Sequence, residues 1–415
     1  MTPYLHQRGL YPPLIQKRPS PLLGIVVVIP CHDEDFLLLS LMALKKCERP
    51  HCDTEVIVVI NHAANASPGL VEKNRNTFEQ ANRWARENQM PHLHFHLLIM
   101  ELPKKHAGVG LARKIGMDEA CYRLERAGNP RGIIACFDAD CRCDPNYLCA
   151  LESYFTENPS VQACGIYFEH PVAGPDFKDD VYLAVARYEL HLRYYIHAQR
   201  WAGHPHARHT VGSSMAVRCD AYQQQGGMNR RQAGEDFYFL QKFIPLGHFG
   251  EITTTKIIPS PRPSHRVPFG TGKAVGELLA SGKSLLTYNP KSFVDLKTFL
   301  CGDLQALHSE KNIHDLLARL PESVGNFLQM NDFVEKIEEI KANTASPAAF
   351  AKRFWQWFDA FMMMKYVHAA RETHYPDVEV VEAAHWLLPH LGHQAGKDLS
   401  VLLATYRLLD RTPGQ

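Results

Sequence analysis

Ile133-Ile134-Ala135-Cys136-Phe137-Asp138-Ala139-Asp140 is the stretch from which the rest of the chain is read. Five apolar residues in a row suit a strand buried on both faces. The run ends in two carboxylates one residue apart, and burying either without a partner costs several kcal/mol, so both are expected to project from the strand end. Outward from there, residues 25–29, 56–60 and 94–99 are also strand-like, with enough chain between successive runs for a crossover helix. That rhythm predicts an α/β domain built on a mostly parallel sheet with helices on both faces. Ligands of such sheets sit beyond the carboxyl ends of the strands, so residues 30–34, 61–65 and 138–140 are the ones to read for chemistry.

Composition narrows the class. The 415 residues are 45% hydrophobic and 21% charged, enough for a sizeable core and unlike a disordered segment. Lys and Arg number 45 against 44 Asp and Glu, a balance that lacks the basic footprint of a dedicated nucleic-acid binder. No apolar run approaches the roughly 18 residues of a membrane span; the best, Gly24 to Pro30, is stopped by its proline. Residues 1–22 hold five prolines and no apolar signal-peptide core, and they read as a surface arm. A cytoplasmic location follows as the expectation, with the eleven cysteines as reduced thiols. Past residue 271 helical periodicity takes over: Phe350, Phe354, Trp357, Phe358, Phe361 and Met362 form one stripe on a helix beginning near Pro347, expected to be core. The domain division is thus an arm (1–22), an α/β domain (23–270) and a mostly helical C-terminal region (271–415).

Three stretches carry chemistry, each with a plainer alternative. Asp138 and Asp140 make a hard-oxygen site for Mg²⁺ or Mn²⁺, which suits a diphosphate leaving group; alternatively they cap a turn. After the Gly226-Gly227 turn, Glu235 and Asp236 open an amphipathic segment. They are helix-start acids, or one of them, Asp236 by preference, is a general base for an acceptor hydroxyl. In the segment 259–272, Arg262 and Arg266 flank His265 and could grip a diphosphate, the glycines allowing a lid; alternatively this is a solvated Pro-rich loop. The histidines of Gly203-His204-Pro205-His206-Ala207-Arg208-His209 lack an i, i+4 pair, and acceptor contacts or an exposed loop are favoured over a metal site.

Taken in order, these motifs resemble the family 2 glycosyltransferases of GT-A fold. Gly24-Ile25-Val26-Val27-Val28-Ile29-Pro30-Cys31-His32-Asp33-Glu34 is similar to that family's opening strand, and Gly108-Val109-Gly110-Leu111-Ala112-Arg113-Lys114-Ile115-Gly116 to its Gly-x-Ala-x-Ala-Arg-Asn-x-Gly segment. Asp138-Ala139-Asp140 is similar to the Asp-x-Asp motif and Gly234-Glu235-Asp236 to the Glu-Asp motif. The resemblance implies a metal-assisted transfer of a sugar from a nucleoside diphosphate sugar to a glycan, lipid or small-molecule acceptor, with inversion. It places Pro30, Glu34, Asn61, Arg113, Asp138, Arg262 and Arg266 at the nucleotide sugar. Asp138, Asp140 and His265 fall at Mn²⁺ or Mg²⁺, and Asp236 with Glu235 at the catalytic step.

Departures are specific. Asn61 stands where many relatives carry an aspartate, and Lys114 replaces the usual asparagine. The Gln-x-x-Arg-Trp motif of processive synthases is absent after Leu240, which favours single transfer by a chain without membrane spans, peripheral membrane contact staying open. A Rossmann dehydrogenase would need a Gly-x-Gly-x-x-Gly directly after the first strand, where Pro30-Cys31-His32 stands instead. A retaining transferase and an inactive GT-A-like binding module are the remaining alternatives.

Overall fold

The computed structural model describes residues 2–264, 266, 269–302, 304–309, 312–394 and 396–412. Eight strands form one sheet: β1 (Leu23–Cys31), β2 (Asp53–Ala63), β3 (Leu93–Leu102), β4 (Ile133–Cys136), β5 (Arg142–Cys143), β6 (Ala163–Phe168), β7 (Met215–Arg218) and β8 (Phe249–Ile258), in the order β3-β2-β1-β4-β7-β6-β8-β5. The four runs read as strands lie on β1 to β4. The half β3-β2-β1-β4 is parallel throughout, with Val28 opposite Ile57 on one side and Cys136 on the other. β7 runs antiparallel between β4 and β6, while β6 and β8 are parallel. The sheet is therefore mixed, and its antiparallel part is where strands are short and their apolar signal weak. All nine residues of β1 are buried, as a central strand covered on both faces requires.

The first eight helices are α1 (Pro3–Arg8), α2 (Leu37–Lys45), α3 (Pro68–Glu87), α4 (Val109–Arg126), α5 (Tyr147–Glu157), α6 (Asp179–Trp201), α7 (Cys219–Gln224) and α8 (Glu235–Leu240). α4 lies hard against the sheet, because a Cβ added at Gly116 would stand 2.5 Å from Val28 Cγ1. Only a glycine lets the helix axis come that close, and this closeness brings the first turn of α4 to the carboxyl end of β4.

The chain forms two compact units, described separately. The α/β unit consists of residues 2–177 with Thr210–Lys273; the helical unit consists of Lys178–His209 with residues 274–412. The sequence division put 178–209 within 23–270, whereas α6 groups with the helical unit. The reason is its apolar face: Leu190 and Tyr194 join Phe293, Leu296, Phe350, Phe354, Phe358 and Leu387 in one buried cluster. The stripe expected on a single helix is split between Pro347–Trp357 and Ala360–Thr373. Asp359 breaks it by accepting from the amides of Phe361 (2.9 Å) and Met362 (3.0 Å), an N-cap in mid-stripe. A two-strand antiparallel pair, Leu286–Thr287 with Val378–Glu379, also interrupts a region expected to lack strands.

Asp410 sits at the ionic centre of the helical unit. It accepts from Arg193, from His197 Nε2 at 2.8 Å and from His209 Nε2 at 3.1 Å, and Glu189 bridges Arg193 and Arg407, each at 2.7 Å. Against the push of burial, His209, His197 and Arg193 hold the Asp410 carboxyl well below its ordinary range. His204 Nε2 donates to the Phe358 carbonyl (3.2 Å) and is buried. Two of the three loop histidines are thus structural, and no acceptor contact is needed to account for them.

The N-terminal arm differs from the sequence expectation as well. Instead of lying on the surface, α1 buries Tyr4 and Leu5, capped by Thr2 and started by Pro3. The Tyr4 hydroxyl accepts from Lys114 Nζ (2.8 Å) and donates to Asp118 Oδ1 (2.8 Å), which also accepts from Tyr222 (2.7 Å). A buried Lys-Asp pair inside α4 is thereby satisfied by the arm. Tyr4→Ala is expected to lower the unfolding free energy by about 3 kcal/mol, the usual cost of deleting a buried aromatic side chain. Urea unfolding of the full chain would measure it, and a loss under about 0.5 kcal/mol would show that the arm does not contribute to the core.

Candidate active site

The strand-end residues meet at the carboxyl ends of β1, β2, β4 and β8, and they sort into two charge clusters joined through Asp138-Ala139-Asp140. The first is built on Glu34, just beyond β1. Its carboxylate is 2% exposed and accepts from the Phe36 amide (2.9 Å), from Arg266 Nη1 (2.9 Å) and from Arg262 Nη2. Arg262 Nε also donates to Asp140 Oδ2 at 3.1 Å, and its guanidinium lies 5.4 Å from the centre of the Phe36 ring. Burial, with the neighbouring Asp138, raises the Asp140 carboxyl, and Arg262 and Arg266 oppose that shift. The segment after β8 is therefore an anchored element whose arginines face acids across the site, not a solvated loop. Arg266 Nη1 also donates to the His32 carbonyl at 2.7 Å. His265 lies outside the described residues.

The loop 31–34 is held from below. Asn61, 3% exposed, donates from Nδ2 to the Cys31 carbonyl (3.0 Å), and His32 Nδ1 meets the Asn61 carbonyl at 2.8 Å. Asn74 on α3, completely buried, donates to that same carbonyl (2.8 Å) and accepts from the Asp33 amide (3.1 Å). Asp33 needs such support because its φ of 51° lies in the left-handed region that a non-glycine residue seldom adopts. Asn61 thus serves the backbone of the loop, a role the sequence did not suggest. Pro30 is a buried residue of β1 opposite Val59, a shaping rather than a hydrogen-bonding position.

The second cluster surrounds Arg113, which is 1% exposed. Its Nη2 donates to Asp138 Oδ1 at 2.7 Å, and its Nη1 stands 2.9 Å from Glu235 Oε1. Asp236 accepts from the Phe237 amide at 2.7 Å. Three acids stand near one cation, so the cluster carries excess negative charge, with Glu235 buried and Asp138 and Asp236 half-buried. Burial raises the Asp138 carboxyl, with Arg113 pulling the other way. Burial raises Asp236 in the same manner against Arg113, and Glu235 is pushed up to about 7. α8 begins at Glu235 after Gly234, whose φ is 69°, so the two acids stand at a helix start, yet they turn toward Arg113.

Among the described residues no group of three or more His, Cys, Asp and Glu is arranged to hold a metal ion. Among them, too, no helix is long and apolar enough to cross a membrane. Sequence reading missed Asn74 and Gly212. Asn74 is one polar residue on an otherwise polar helix, with no signal of its burial. Gly212, before β7, sits in Val211-Gly212-Ser213-Ser214, where a glycine marks a turn as readily as a close approach.

A family model, glycosyl transferase family 2, matches residues 26–225. Over residues 26–225 the chain is similar to glycosyl transferase family 2. The matched span contains Pro30, Glu34, Asn61, Arg113, Asp138 and Asp140, and it stops short of Glu235, Asp236, Arg262 and Arg266. The likeness to solved structures includes TarS of S. aureus, residues 1–349, in complex with UDP-GlcNAc: 13% identity over 84% of this chain and 92% of that chain, TM-score 0.40. It also includes the same TarS fragment in complex with UDP: 14% identity, 94% and 91% coverage, TM-score 0.37. No curated protein matches the chain significantly. The chain is a glycosyltransferase with the α/β fold that the motifs implied.

The Arg113 ion pairs carry structural weight in the α/β unit. Arg113→Met would leave Asp138 and Glu235 without their cation, and the expected cost is about 3–5 kcal/mol of stability. Denaturant unfolding checks this, and a variant as stable as the parent would show that the acids are satisfied without Arg113.

Proposed function

We propose that the chain moves a sugar from a nucleoside diphosphate sugar to a hydroxyl acceptor, with inversion at the anomeric carbon and with Asp236 as general base. The observation that carries this reading is the meeting of two guanidinium groups, Arg262 and Arg266, with Asp140 and Glu34 beside the Asp138–Arg113–Glu235 cluster at one edge of the sheet. One cluster suits a diphosphate and the other a proton transfer. A glycan, lipid or small-molecule acceptor fits equally, and a cytoplasmic site of action agrees with the reduced cysteines.

In the step itself the acceptor oxygen attacks the anomeric carbon. The bond from that carbon to the diphosphate oxygen breaks, and its electron pair leaves with the nucleoside diphosphate. The acceptor proton passes to the Asp236 carboxylate. Arg262 and Arg266 would exchange carboxylate partners for phosphate oxygens, for which the guanidinium fork is equally suited. Pro30, Glu34 and Asn61 would shape the nucleotide end of the site. Two carboxylates are the number that Mg²⁺ commonly takes from a protein beside substrate phosphates and water, so Asp138 and Asp140 fit Mg²⁺ or Mn²⁺. When bound there, the ion supplies positive charge to the departing diphosphate.

Thermal unfolding of the full chain against UDP, GDP, CDP and TDP, each with and without Mn²⁺, tests the donor site. One nucleotide at about 100 times its Kd should stabilise by roughly 2.7 kcal/mol, and Asp140→Ala should abolish the effect. Asp236→Asn should keep nucleotide binding and lower kcat by at least about 100-fold. Stabilisation that is indifferent to Asp140, or normal turnover by the Asp236 variant, would overturn these assignments.

The pH dependence has a definite sign. A base must be ionised to act, and burial raises the Asp236 carboxyl, so kcat should climb through an acidic limb lying above the ordinary carboxylate range near 4. Glu235, pushed up to about 7, is still protonated while Asp236 ionises, so Glu235→Gln should leave that limb in place. A limb that moves to lower pH in the variant would show that Glu235 ionises before Asp236.

A further inference from the structure

We infer that Arg113 and Gly212 act as one positioning device for Asp236, rather than Arg113 contacting the nucleotide sugar. The inference rests on the proposed role of Asp236 as base. The Arg113 guanidinium has little surface left for a ligand, being 1% exposed, with Nη2 on Asp138 at 2.7 Å and Nη1 at 2.9 Å from Glu235. Its effect on the reaction must then pass through the acids it holds.

Gly212 closes the arrangement from the other side. A Cβ built on it would lie 2.4 Å from Arg113 Nη1 and 3.0 Å from Asp236 Oδ2, so the backbone of residue 212 is wedged between the cation and the acid. Gly212 is not among the positive-φ residues, so its conformation is open to alanine and only the missing space forbids a side chain. The Phe237 amide holds Asp236 Oδ1 at 2.7 Å. Asp236 is thereby held by a backbone donor at the start of α8 and confined by the backbone of residue 212 in the turn before β7, while Arg113, on the first turns of α4, holds the adjacent Glu235. A base fixed in this way keeps its lone pair aimed at one place, and displacement by about 1 Å costs on the order of 100-fold in rate.

Gly212→Ala and Arg113→Lys test the device separately and together. Lysine keeps the charge but has no fork to bridge two acids, and it lacks the Nη1 atom with which the new methyl group would collide. Release of nucleoside diphosphate from UDP-glucose, UDP-N-acetylglucosamine and GDP-mannose with Mn²⁺ gives kcat. Titration with the nucleoside diphosphate released from the active donor gives its Kd. Each single variant is expected to lose about 100-fold in kcat with Kd changed less than about 3-fold, and the double variant should be no slower than Arg113→Lys alone. Urea unfolding confirms that Gly212→Ala is folded, and Arg113→Lys supplies the same kcat-against-Kd contrast should it not be. Parent turnover with a Gly212→Ala rate within about 3-fold of it overturns the positioning role alone. Parallel loss of Kd and kcat in Arg113→Lys assigns Arg113 to the nucleotide and overturns it as well. A parent chain that releases no nucleoside diphosphate from any of the donors overturns the functional reading, and the positioning role with it.

Discussion

One guanidinium buried among three carboxylates sets the terms for the α/β unit. Isolated charges in a protein interior cost several kcal/mol each, and Arg113 and Glu235 are buried beside the half-buried Asp138 and Asp236. Arg113 compensates them only if α4 lies near enough to the sheet for its first turns to reach the end of β4. That requirement explains the packing of Gly116 on Val28 and the arrival of the 234–236 turn beside the same helix. The apolar strands create the crevice, while this cation makes it tolerable to line the crevice with acids.

The other half of the site obeys the same constraint with different means. Glu34 and Asp140 are neutralised by arginines from a distant segment, so the loop after β8 is held by the charges it faces. The loop after β1 is held by amides instead. Asn61 and Asn74 satisfy its carbonyls and one of its N–H groups, and they stabilise a left-handed residue at Asp33 that would otherwise cost of order 1 kcal/mol or more. Ionic and amide supports therefore fall on opposite sides of one short acidic turn.

The parallel half of the sheet was legible because its strands are buried on both faces and write unbroken apolar runs. Asp138, Asp140, Glu235 and Asp236 were legible as acids in places where a strand or a helix begins or ends. Their partners were not, since an ion pair such as Glu34 with Arg262 spans 228 residues and leaves no periodicity. β7 is four residues long and antiparallel, too short to announce its direction. α6 was assigned by its position in the chain, but a helix goes where its apolar face is covered, and that face belongs with Phe293 and Phe354. The arm was misjudged because its prolines suggest exposure, whereas Tyr4 completes a buried polar group on α4.

The placement of α6 carries a consequence for how such a chain can be divided or inherited. The backbone passes between the two units at 177/178, 209/210 and 273/274, so neither unit is a contiguous cassette. Cutting the chain at its apparent boundary near 271 would not release a self-sufficient α/β protein. It would leave a 23-residue helix with Leu190 and Tyr194 bared and Arg193 deprived of Asp410. While α6 keeps its present packing, the helical unit is therefore not a simple tail that follows the α/β unit in the chain.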